Sequence, residues 1–137
     1  PTGQLTIRFK SSENSQGSFS GWDAELFCVG ALANEPTVQP SGVTITKVEN
    51  STDLELAFTK GNGTGRLIMA RENASVFSKP VDGFLPLVNG DYARGLEIAE
   101  GNYIVYAGAE DRVRLTGFRP GTLYHFAIFE YNGTSGT

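Results

Sequence analysis

Residues 113–133 read VRLTGFRPGTLYHFAIFEYNG, and this stretch constrains the fold more than any other. Val113 and Leu115 alternate with polar neighbours, and Tyr124, Phe126 and Ile128 alternate again. Successive strand residues point to opposite faces, so a period of two marks half-buried strands. Residues 117–121 interrupt the period. Pro120 cannot donate to a ladder, and Gly121 takes positive φ without steric cost, so a corner joins two strands there. Tyr124 follows that corner closely enough for its phenol to bond back to the upstream backbone.

The remainder of the chain is compatible with strands. Among 137 residues, 39% are hydrophobic and 11% aromatic, enough for a packed core and against wholesale disorder. Glycine is frequent, and no apolar segment keeps helical spacing beyond two turns, so the fold class is all-β. The net charge is −4 and no run of Lys or Arg exists. A phosphate backbone is therefore a poor partner, and so is an anionic membrane. One cysteine, Cys28, and one histidine, His125, cannot supply a Cys/His zinc site. Cys28 reads either as a buried thiol or as half of a disulfide whose other half lies upstream of Pro1. No apolar run is long enough for a membrane-spanning helix.

In residues 2–30, Leu5, Ile7 and Phe9 alternate into a strand, residues 11–21 are a polar loop, and residues 22–29 form a second strand. A lone hairpin is marginal in water, so this unit needs a partner surface. The stretch LTIRFKSSENSQGSFSGWDAELFC resembles the last two strands of a CUB domain, through Phe9-Lys10-Ser11, Gly21-Trp22 and Ala24. Calcium-binding members of that family carry Asp after the Ser, where this chain has Ser12. The expected organisation is thus residues 1–30 as the end of a CUB-like jelly-roll, residues 31–41 as a linker stiffened by Pro36 and Pro40, and residues 42–137 as a second domain.

In that second domain Val43 and Ile45 alternate into one strand, and Leu54, Leu56 and Phe58 into the next. The loop GNGTG at residues 61–65 invites comparison with phosphate-binding loops. It lacks their Lys-Ser/Thr ending, and a strand from Arg66 follows it where a helix is required, so it reads as a turn. Residues 72–102 are the least regular, with a short strand expected at Val76 and Phe77. A connection of that length is often functional. YIVY at residues 103–106 is a strand.

GNGTGRLIMAR, PVDG, GNYIVYAG and LTGFRPGTLYHFAIFEYNG together resemble a bacterial fibronectin type III-like domain. The resemblance implies an immunoglobulin-like β-sandwich, with Phe58 in the place of the family's core Trp and with Pro120 and Tyr124 at its tyrosine corner. It also implies that the strand holding Arg66 runs antiparallel to the one holding Glu130, so an inward Glu130 is expected to pair with Arg66. The family's pattern continues past Thr137 into a last strand, so an open strand edge is expected over residues 123–131. Domains of this kind recur in secreted and surface-anchored proteins, many exported by the type IX route. The resemblance therefore implies a non-catalytic spacer or interaction module, supporting adhesion or the presentation of other domains, the alternatives being a glycan- or protein-binding module that uses the loop at 82–101, or an accessory domain of a secreted hydrolase. Its partners would be other domains of the same polypeptide or neighbouring surface proteins.

No constellation of residues carries a reaction. His125 is out of phase with Tyr124 and Phe126 and has no nucleophile motif near it. Asp82, Asp91, Glu97, Glu100 and Asp111 have no fixed spacing. Neither a cofactor, a metal nor a catalytic residue is expected. Trp22, Tyr92, Tyr103 and Tyr106 could form a sugar-stacking platform together with the loop at 82–101, or serve as core and cross-strand partners. Asn50, Asn62, Asn73 and Asn132 each begin an Asn-x-Ser/Thr sequon, and they read as turn chemistry.

Overall fold

A computed structural model describes residues 32–133. The expected CUB-like hairpin, Trp22 and Cys28 lie outside these residues. The alternating segments become β1 (Ser41–Lys47), β2 (Leu54–Thr59), β3 (Gly65–Glu72), β4 (Leu96–Ala99), β5 (Asn102–Gly108), β6 (Arg112–Leu115) and β7 (Tyr124–Tyr131), with one 3-10 turn at Tyr92–Arg94. They form two antiparallel sheets, ordered β1-β2-β6 and β4-β5-β3-β7. The chain is an all-β sandwich, as its alternation requires.

The core between the sheets holds Leu56 and Phe58 of β2, Ile68 and Ala70 of β3, Val105 of β5, and Val113 and Leu115 of β6. Phe118 joins it, and Tyr124, Phe126 and Ile128 pack at its edge. Burying each large apolar side chain contributes about 1.5–3 kcal/mol. The corner after β6 is closed by Tyr124, whose hydroxyl accepts the Arg119 N–H at 3.1 Å and donates to Glu72 Oε1 at 3.0 Å.

A second apolar cluster lies on the other face of the four-stranded sheet. Leu67, Met69, Ile104 and Tyr131 are covered there by Val76, Leu85, Val88 and Ile98. This explains why the first six residues of β3 are all buried. A strand covered on both faces is apolar without alternation. The irregular connection between β3 and β4, with Ile98 of β4, is thus the cover for an outer face. No strand forms at Val76 and Phe77, contrary to the sequence expectation. The Phe77 N–H donates to Asn102 Oδ1 at 3.1 Å, and its exposed ring lies 4.7 Å from the Arg71 guanidinium carbon. A side-chain acceptor has taken the donor that a ladder would need.

β3 sits at the centre of the larger sheet. It pairs with β5 on one side and with β7 on the other, from Gly65↔Tyr131 to Glu72↔Tyr124. β7 is a terminal strand, with β3 as its single neighbour among the described residues.

Candidate functional site

The glycine loop at 61–65 does bind an anion, and the anion is internal. Glu130 of β7 accepts the Gly61 N–H at 2.7 Å, the Gly63 N–H at 2.9 Å and Arg66 Nε at 2.9 Å. Arg66 spends its other nitrogens on the Ala109 and Gly63 carbonyls, at 3.0 and 3.1 Å. Their side chains are 4% and 0% exposed, so the pair is desolvated and every charge in it is matched by hydrogen bonds. The register Arg66↔Glu130 brings the two together across the β3–β7 ladder. Glycine is required here by close approach: a Cβ at Gly63 would meet Glu130 Oε2, and one at Gly61 would collide with the Val38 carbonyl. The loop's donors are therefore already used, and this cluster is structural.

The same loop holds the segment before β1. Asn62 Oδ1 accepts the N–H groups of Thr37 and Val38 at 3.0 and 2.9 Å, and Asn62 Nδ2 donates to Thr37 Oγ1. Asn132 Nδ2 donates to the Asn34 carbonyl at 2.8 Å. Asn50 and Asn73 take φ of 55°, a left-handed conformation that asparagine tolerates better than most residues. All four sequon asparagines thus do backbone work.

Among the described residues, no strand pairs with the outer edge of β7. The Glu130 N–H points away from β3, to Gln39 Oε1 at 3.0 Å, whereas the Tyr131 carbonyl accepts the Thr64 N–H on the β3 side. Backbone direction alternates along a strand. Tyr124, Phe126 and Ile128 therefore turn their N–H and C=O groups the same way as Glu130, toward no strand among the described residues. A groove of about 500 Å³ beside this edge is lined by Pro36, Gln39, Val81, Phe84, Ile128 and Phe129. On the facing sheet, part of β1 also stays exposed. Ile45 of β1 is paired with Leu56, so the two side chains share a face. Leu56 is fully buried, yet Ile45 remains 50% exposed and Val43 47% exposed.

The aromatic residues named from the sequence separate. Tyr92 and Tyr103 come together, with ring centroids 5.4 Å apart in an edge-on arrangement. Tyr92 also stacks on Phe118 and meets Tyr124 edge-on. Tyr106 packs against the same inner core as Tyr92 and Tyr103, but further along β5, where its hydroxyl accepts the Glu110 N–H. Burial, then the nearby Glu72 carboxylate, pushes the Tyr92 phenol up to about 12, so it is a neutral hydroxyl at any physiological pH. Burial also raises Tyr103 and Tyr131. Three of the scattered acids are employed: Asp91 Oδ1 caps the Ala93 N–H, Glu97 Oε1 accepts the Gly101 N–H, and Asp111 faces Lys60. Among the described residues no three His, Cys, Asp or Glu side chains cluster as metal ligands, and no helix is long and apolar enough to cross a membrane.

No protein-family model, curated protein or solved structure matches the chain.

Proposed function

We propose that this unit is a strand-accepting interaction module, a non-catalytic part of a larger secreted or cell-surface protein. The observation that carries the reading is the edge of β7. Three alternate residues, Tyr124, Phe126 and Ile128, present backbone donors and acceptors outward, while Ile45 and Val43 of the facing sheet stay half exposed. One added strand would satisfy both needs. Its backbone would pair with β7, and its alternate apolar side chains would lie over Ile45 and Val43. Main-chain pairing of this kind supplies affinity, and alternate side chains supply selectivity. The resemblance to bacterial fibronectin type III-like domains supports the same reading, because such domains join other modules of one polypeptide or neighbouring surface proteins, and it suggests a role in adhesion or in presenting those modules.

The partner chemistry is an extended segment with apolar residues at every second position. A synthetic peptide alternating valine and threonine is a direct probe, titrated into the chain and followed by amide chemical shifts. The expected response is saturable, concentrated at Tyr124, Phe126, Ile128 and at β1. Shifts absent from β7, or equal to those from a scrambled peptide with apolar residues in one block, would overturn the reading.

A further inference from the structure

A second site lies at one end of the sandwich and is independent of the β7 edge. Tyr92 and Tyr103 form two walls of a cleft of about 490 Å³, whose rim carries Arg71, Glu72, Glu100 and Arg119. We propose that this cleft binds a neutral polyhydroxylated ring, a sugar residue of a glycan.

Four features point to that class. The size lies within the usual range for small-molecule sites, roughly 300–1,000 Å³. Two phenol rings set at 65° offer an apolar corner against which the C–H face of a sugar can lie. The rim charges balance, two guanidinium groups against two carboxylates, so neither an anion nor a cation is favoured over a neutral ligand. Polar capacity is also left over. The Arg119 guanidinium and the Glu100 carboxylate make no hydrogen bond or ion pair among the described residues, and Glu72 uses only Oε1, on Tyr124. Donors and acceptors side by side suit hydroxyl groups, which are both.

The walls are held before any ligand arrives. Asp91 caps the turn that carries Tyr92, and the Tyr92 N–H donates to the Thr116 carbonyl at 2.9 Å. Phe118 backs the Tyr92 ring. Arg71 is fixed by the Ser75 carbonyl and the Phe77 ring. A preorganised site loses little entropy on binding.

The test is an array of neutral and acidic glycans probed with the full chain, followed by calorimetric titration of the best neutral ligand. Arg119→Ala and Glu100→Gln change exposed side chains that have no hydrogen-bond or ion-pair partner among the described residues, so both variants are expected to melt like the parent. The proposal expects a neutral glycan to bind, and each variant to bind it about tenfold more weakly, the loss of one charge-assisted hydrogen bond. Failure of every neutral glycan to bind at millimolar concentration would overturn it. Binding confined to acidic glycans, or left unchanged by both variants, would do the same. None of these outcomes bears on strand addition at β7, which is read from different amides.

Discussion

Removing the carboxylate of Glu130 leaves the Gly61 and Gly63 N–H groups and Arg66 Nε without their acceptor, in a place water does not reach. Breaking one side of a buried pair costs about 3–5 kcal/mol, because the remaining charge keeps its desolvation penalty. Glu130→Ala should therefore shift the urea midpoint strongly. An exposed control, Asp111→Ala, removes a loose 3.8 Å contact with Lys60 and should cost less than about 1 kcal/mol. Equal midpoints for the two variants would show that the cluster holds nothing together. At this scale the sequence is informative in one direction only. Glu130 falls in phase with Tyr124, Phe126 and Ile128, which is why an inward acid could be read there and a basic partner sought. That the glycine loop would supply two further donors is not legible, since a turn and an anion cradle share the same residues. Tyr92 gives a second handle. Its phenol titrates at about 12 rather than at the usual 10.0. A raised phenol pKa means that the folded state holds the proton more tightly than the unfolded one, so its contribution is intact below pH 10 and is lost as the pH climbs toward 12. Tyr103 and Tyr131 shift in the same direction. Melting temperature should fall steeply across that window, and Tyr92→Phe should make the fall shallower.

At the scale of elements, β3 explains both what could be read and what could not. LIMA at residues 67–70 is apolar without alternation, a pattern that fits burial on two faces. The cover for the second face comes from residues 76–98, where Val76, Leu85, Val88 and Ile98 are spaced by no repeating period. Irregular cover leaves no periodic trace, so the connection could be identified as long but not as part of a core. β4, at four residues between two glycines, is too short to show alternation. Tyr92 and Tyr103 meet because a turn and the start of β5 converge, while Tyr106, three positions further along the same strand, packs against the same core away from their cleft. Proximity of that kind is a product of topology and cannot be read from composition. If the outer cluster is a true core, Met69→Ala should cost about 2–5 kcal/mol, comparable to Leu56→Ala in the inner one. Denaturation that ranks Met69→Ala with exposed substitutions would show that residues 76–98 are a loose covering.

Across the whole molecule, the protected interiors of the two sheets contrast with the outward edge of β7, one of four terminal strands among the described residues. Inside, buried charges and glycine amides satisfy each other. At β7 the outward amides have Gln39 at one position, Glu130, and no strand beyond it among the described residues. The alternation in residues 113–133 made β7 legible as a strand, and the resemblance to a known sandwich made its position at an edge an expectation. The half exposure of Ile45 is not legible in the sequence, because a strand pattern says which face is apolar and not whether anything lies over it. Amide hydrogen exchange on the intact chain separates the two sides of β7 residue by residue. The account predicts slow exchange at Ala127 and Phe129, which face β3, and much faster exchange at Phe126 and Ile128, which face outward. Equal protection of all four amides in the chain alone would contradict it, since the edge would then already be paired.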